Sequence, residues 1–191
     1  LEASKPTIKR LWQQIVQAKV SRQAANLPDD SPAYRKLSKL RGEVKSGDTT
    51  NIEAQAAKVY WQALRDSSSA WATFKRSGQN AKDLHNGLLN YGYAVMRAAV
   101  ARAIVSAGLL PMIGLHHANR SNAFGLADDL VEPLRPVVDG RVARLIREGA
   151  TSIDRTSKQA LLELLTVECD CGDQSGPLMV QLHRYTASLV K

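Results

Sequence analysis

Two histidines stand ahead of a segment that carries three carboxylates. His116 and His117 are followed by Asp128, Asp129 and Glu132. Imidazole nitrogens and carboxylate oxygens together suit a divalent ion such as Mn²⁺. A carboxylate-rich site with open coordination positions is what metal-assisted phosphate chemistry needs. The composition of this segment therefore predicts a metal site.

The spacing of the three acids predicts that they lie on one helical face. Offsets of three and four residues bring side chains together on a helix, and clustered like charges cost about 0.2–0.5 kcal/mol per pair when exposed. A bound cation would relieve that repulsion. The alternative is an ordinary solvated acidic face, because the cost is small enough to tolerate without a cation.

Glu53 has two interpretations. It is the last residue of Thr50-Asn51-Ile52-Glu53, which has the spacing of a capping box, in which a glutamate reaches back to the amide of the cap residue. The local sequence alone favours capping. The alternative is a metal ligand.

The chain is basic. Its 191 residues carry a formal net charge of +8, and residues 1–45 hold ten Lys and Arg against four Asp and Glu. This balance favours polyanionic partners, with DNA or RNA ahead of a membrane because no amphipathic anchor or lipidation motif is visible. Solubility is the alternative explanation. No apolar run approaches the roughly 18–20 residues that span a bilayer.

Apolar residues recur at helical spacing along nearly the whole chain, and no convincing strand alternation is present. We therefore predict an all-α fold in a single domain spanning residues 1–191. Pro133 and Pro136 should kink or end the helix that carries the acids. The predicted helices span about 7–25, 33–44, 51–66, 71–76, 83–107, 122 onward, 141–148, 158–167 and 178–189.

The ends of the chain and its cysteines give three further expectations. The first residue is leucine, and no signal-peptide core follows it, so we expect a piece of a longer, cytoplasmic protein. Cys169 and Cys171 form a lone Cys-x-Cys, which is a weak zinc signal without a second Cys or His pair. Free thiols are the favoured interpretation.

Three motifs give the sequence a family resemblance. The first runs from Gly114 to Asp139 with a Gly-x-x-His start, an Asp-Asp-Leu-x-Glu-Pro turn and an Arg-Pro-x-x-Asp end. The second is Glu-x-x-Ala-Ala-x-x-Tyr-Trp, starting at Glu53, and the third is Asn-x-Leu-Leu-Asn-Tyr-Gly-Tyr, starting at Asn86. In this order they resemble the motifs of the CRISPR adaptation integrase family, and are closest to the branch of type II systems.

The resemblance implies a catalytic metal site. Glu53, His117 and Glu132 would be the ligands of Mn²⁺ or Mg²⁺, since the family's second acidic ligand follows its histidine by fifteen positions. Asp129 would touch the metal directly or through water, behind Glu132 in rank. Residues implied to support the site are His116 and Asn119.

The resemblance also implies substrates and partners. The reaction would be DNA phosphodiester transesterification and hydrolysis on protospacer and CRISPR-repeat DNA. A small adaptation partner protein would bind, and the full-length family protein would be a homodimer with a β-rich domain that this sequence lacks. The basic residues implied to hold DNA phosphates are Lys75, Arg76, Arg120 and Arg135. The alternative is a non-catalytic helical DNA-binding or scaffold module.

Overall fold

A computed structural model of the chain describes residues 3–78, 83–116, 121–171 and 173–190. The helices are α1 (Lys5–Ala25), α2 (Pro32–Glu43), α3 (Ile52–Ser67), α4 (Leu84–Ser106), α5 (Gly125–Val131), α6 (Arg135–Arg147), α7 (Arg155–Leu162) and α8 (Leu178–Ala187). Two short strands, β1 (Glu168–Cys171) and β2 (Gln174–Pro177), pair antiparallel. The predicted all-α class is confirmed, with this hairpin as an addition that the sequence did not predict.

The chain divides into two compact units. The first contains Leu1–Arg76 and Glu132–Gly140, and the second contains Ser77–Val131 and Arg141–Lys191. Helix α6 contributes residues to both. Compact units are not necessarily separate domains, so the single domain over 1–191 stays a prediction.

The first unit is built on α1. The Ser4 hydroxyl accepts a hydrogen bond from the amide of Thr7, and Pro6 lies in the first turn, where a missing N–H costs nothing. Val16 and Val20 are fully buried one turn apart. Helices α2 and α3 and the 3₁₀ turn Glu132–Leu134 pack on α1, so residues distant in sequence meet along it.

The second unit is organised around α4, against which α5, α7 and α8 pack. A Cβ at Gly87 would overlap the Cδ1 atom of Ile153, the end of a flexible side chain that would have to shift. The Thr186 hydroxyl of α8 donates a buried hydrogen bond of 3.1 Å to the carbonyl of Ala103. These close contacts fix α4 within its unit.

Several predicted boundaries were wrong. Residues 71–76 form no α-helix, since only the 3₁₀ turn Ser69–Trp71 is present there. The helix predicted from residue 141 begins at Arg135, and the one predicted for 158–167 spans Arg155–Leu162 and continues as a 3₁₀ turn to Thr166. Among the described residues, no helix has the length and apolar character needed to cross a membrane.

Candidate metal centre

Glu53 lies in the first turn of α3 but does not cap it. Asp48 does so instead: its carboxylate accepts hydrogen bonds from the amides of Ile52 and Glu53 at 2.8 and 3.0 Å. Asp48 and Asn51 both have left-handed backbones, with φ of 48° and 53°. The capping-box interpretation was therefore wrong, and the Glu53 side chain contacts Lys19 instead.

Glu132 is placed by a break between two helices. Helix α5 ends at Val131, and Glu132 begins the 3₁₀ turn that Pro133 helps to form. Proline disfavours a helical conformation in the residue before it, which explains why the helix stops here. Glu132 is only 5% exposed, and its Oε1 lies 2.9 Å from the Nε atom of Arg135.

Lys19 joins the two glutamates. Its Nζ atom lies 2.5 Å from Oε1 of Glu53 and 2.5 Å from Oε2 of Glu132. Burial alone would lower the pKa of Lys19, but the charges of Glu132 and Glu53 outweigh burial and raise the pKa. Lys19 was not among the predicted site residues. A signal was present, because Lys19 lies one turn after Ile15 on the buried side of α1.

The two carboxylates fit a divalent cation. Oxygens that are each 2.5 Å from one nitrogen are no more than 5.0 Å apart. Mg²⁺ and Mn²⁺ prefer carboxylate oxygens, so Glu53 and Glu132 could each supply a ligand to one divalent ion. The ammonium of Lys19 contacts an oxygen of each glutamate, which shows that the pair attracts a positive charge. Among the described residues no group of three or more His, Cys, Asp or Glu is assembled, so a further ligand would come from outside them.

A second polar layer lies two helical turns further along the same three segments. Asn26, Tyr60 and Asp139 each follow Lys19, Glu53 and Glu132 by seven residues. The Asn26 amide donates at 2.9 Å to the Tyr60 hydroxyl and at 2.7 Å to the Pro136 carbonyl.

The hydroxyl of Tyr60 also interacts with the carboxylate of Asp139. Tyr60 and Asp139 are almost completely buried. Burial, followed by the charge of Asp139, raises the pKa of Tyr60 well above its ordinary value. The layer therefore fixes the register of the segments that carry the two glutamates.

Asp128 and Asp129 each have polar partners within the second unit. Asp128 pairs with Arg97, whose Nε lies 2.5 Å from Oδ1. Asp129 is fully buried, and its Oδ2 accepts from the amides of Leu115 and His116 at 2.6 and 2.9 Å. Helix α5 ends before Glu132, so the three acids do not share one α-helix. The assignment of Asp129 to the metal stays a prediction.

The other predicted site residues fall in three groups. Lys75 is exposed and Arg76 is half-buried, just after α3 and its following turn. Arg135 contacts Glu132, and its role in binding DNA stays a prediction. The predicted residues that lie outside the described ones are His117, Asn119 and Arg120.

Comparison with known proteins decides the family. A family model described as CRISPR associated protein Cas1 matches residues 3–166. The chain belongs to the Cas1 family. The CRISPR-associated endonuclease Cas1 of Neisseria meningitidis is 44% identical over 169 residues, which cover 86% of this chain and 53% of that protein. A Cas1 endonuclease of Pyrobaculum aerophilum is 32% identical over 145 residues, covering 75% of this chain and 48% of that protein.

This Cas1 chain thus spans about half the length of these curated relatives. Solved structures share its fold. A casposase bound to integration product has a TM-score of 0.79 at 22% identity, covering 97% of this chain and 60% of that one. A Cas1 protein from Thermotoga maritima has a TM-score of 0.79 at 17% identity, covering 97% and 65%. A Cas6-RT-Cas1–Cas2 complex gives 0.78 at 20% identity, covering 96% and 23%.

Proposed function

We propose that this chain is the metal-dependent catalytic part of a CRISPR adaptation integrase. The observation that carries this proposal is the meeting of Glu53 and Glu132, which come from different segments, on one cation-binding point in a member of the Cas1 family. The reaction class is transesterification and hydrolysis of DNA phosphodiesters. The branch of type II systems fits the similarity to the Neisseria protein.

The proposed ligands of Mn²⁺ or Mg²⁺ are Glu53, His117 and Glu132. Asp129 holds the amides of Leu115 and His116, directly before His117 in the chain. We therefore assign Asp129 to orienting this segment rather than to binding the metal first. His116 and Asn119 flank His117 in sequence and complete the proposed surroundings of the ligand.

The ion, the two glutamates and Arg135 have different roles in the proposed reaction. When bound, the ion polarises the scissile phosphodiester and stabilises the charge that spreads over its oxygens. Glu53 and Glu132 supply the negative charge that retains a cation, and Arg135 holds the second oxygen of Glu132. No protein nucleophile is required, because a DNA 3′-hydroxyl or water attacks.

DNA is the proposed substrate. The net charge of +8 favours binding to phosphates, and the candidates for these contacts are Lys75, Arg76, Arg120 and Arg135. The solved casposase is described with an integration product and another Cas1 in a complex with Cas2. By analogy we propose that the whole protein acts on protospacer and repeat DNA with a small adaptation partner. From the family resemblance we further propose that it is a homodimer in the cytoplasm.

A second candidate is a non-catalytic DNA-binding or scaffold module. One observation favours it: Lys19 and Arg135 already balance the charges of Glu53 and Glu132. The four side chains could then be a permanent structural cluster. This candidate predicts no binding of divalent ions at the glutamates.

Calorimetric titration of Mn²⁺, paired with cleavage of branched DNA, separates the candidates. Glu53→Gln and Glu132→Gln should abolish both signals. Glu43→Gln is the matched control, because Glu43 is exposed on α2 and forms a weak surface ion pair with Lys39, 3.9 Å away. DNA binding should weaken steeply with salt in all four proteins, through release of counterions. Cleavage that persists in Glu132→Gln, or requires no divalent ion, would favour a different site.

A further inference from the structure

The position of Lys19 has a consequence for the proposed metal site. Its ammonium contacts both carboxylates that would bind the ion, at the same distance of 2.5 Å. We propose that Lys19 is a built-in counter-ion, which holds Glu53 and Glu132 together in the metal-free protein and competes with the divalent ion for them. This inference rests on the proposed function and names a residue that regulates the site's occupancy.

The ion pairs of Lys19 are more buried than an ion pair on the protein surface. Its side chain is 12% exposed, and those of Glu53 and Glu132 are 25% and 7% exposed. Exposed pairs such as Lys39 and Glu43, 3.9 Å apart, contribute little because water and salt screen them. A half-buried carboxylate and a buried one within 5.0 Å of each other repel strongly unless a cation lies between them.

Competition follows from the atoms involved. Lys19 takes Oε1 of Glu53 and Oε2 of Glu132, while Arg135 contacts Oε1 of Glu132. Because Arg135 contacts one oxygen of Glu132 and Lys19 the other, an ion held by both glutamates would compete with Lys19 at Glu132, and it would repel the ammonium. A lysine has a flexible four-carbon stem, so its head can withdraw while α1 stays in place. Arg135 can remain where it is.

Removing the charge of Lys19 should consequently have two opposite effects. Without metal, the carboxylates of Glu53 and Glu132 lose their shared cation and repel, so the protein should melt at a lower temperature in chelator. With metal, no ammonium has to be displaced, so Mn²⁺ should bind more tightly. A merely structural lysine would give the first effect without the second.

The experiment is calorimetric Mn²⁺ titration and thermal unfolding of the wild type, four lysine variants and Glu132→Gln. Lys19→Met should bind Mn²⁺ about tenfold more tightly, since the charge repulsion and two ion pairs no longer oppose binding. Lys19→Gln should also bind more tightly, and it guards against misfolding because its amide can still donate hydrogen bonds. Lys19→Arg keeps the charge and should bind no more tightly than the wild type. Lys39→Met controls for net charge and should change nothing.

Each result has a defined meaning. If the wild type binds Mn²⁺ and both neutral variants bind no more tightly, the counter-ion inference is overturned while the metal site stands. If Mn²⁺ binding is absent from the wild type and the neutral variants, or survives Glu132→Gln, the proposed metal site is wrong and the inference falls with it. Tighter binding in Lys19→Met and Lys19→Gln, with a lower melting temperature in chelator, supports it.

Discussion

Replacing Tyr60 with phenylalanine should destabilise the first unit markedly. The lost hydroxyl accepts from Asn26 at 2.9 Å and interacts with the buried carboxylate of Asp139. A neutral hydrogen bond contributes about 0.5–1.5 kcal/mol and one to a charged group about 1.5–3 kcal/mol. Asn26 keeps its bond to Pro136, which limits the loss. We expect a total cost of about 2–4 kcal/mol.

Urea and thermal unfolding in chelator measure this cost. For a chain of this size, that loss corresponds to a fall in Tm of roughly 5–12 °C. Tyr34→Phe is the matched control, because Tyr34 is half-buried on α2 and its hydroxyl has no hydrogen bond within the described residues. Combining Tyr60→Phe with Asp139→Asn should cost less than the two single changes added, by about 1 kcal/mol or more. A cost equal to that of Tyr34→Phe, or strict additivity, would refute the polar layer.

Three further predictions concern buried or capping acids and the same tyrosine. Asp129→Ala should cost about 2 kcal/mol in urea unfolding and lower Mn²⁺ affinity, whereas Asp129→Asn, which keeps an acceptor oxygen, should do less; loss of all Mn²⁺ binding in Asp129→Asn alone would contradict our ranking. Burial, and then the charge of Asp139, raises the pKa of Tyr60, so the contribution of Tyr60 to stability is complete below pH about 10 and falls as pH rises further. Between pH about 8 and 11 the melting temperature should therefore fall less with pH in Tyr60→Phe than in the wild type. The hydrogen bond from the amide of Ser157 lowers the pKa of Asp154, so its contribution is present above pH about 4 and lost as pH falls through the folded value; an acid melting profile unchanged by Asp154→Asn would count against this cap.

The helices could be predicted because apolar periodicity reports burial directly. Helix α1 shows this best, with Trp12, Val16 and Val20 one turn apart and all buried. The β-hairpin could not be predicted in this way. Its strands are mostly polar, and Gly176 with Pro177 adds none of the branched or aromatic side chains that favour strands.

The candidate site was only partly predictable. Glu53 and Glu132 were identified through the family resemblance, since nothing in the local sequence brings two distant segments together. Capping by Asp48 in place of Glu53 was missed because it depends on left-handed residues rather than on the usual spacing. Lys19 was missed because a lysine on a basic helix resembles ordinary surface charge, and its burial arises only when Glu132 packs against α1.

We propose above that Glu53, Glu132 and His117 bind one divalent ion. Anomalous diffraction from a crystal soaked in Mn²⁺ tests it most directly. Our account predicts one strong peak at about 2.0–2.2 Å from a carboxylate oxygen of each glutamate and from the His117 imidazole, with the ammonium of Lys19 withdrawn. A Mn²⁺ peak elsewhere, with Lys19 still joining the two carboxylates, would contradict the account.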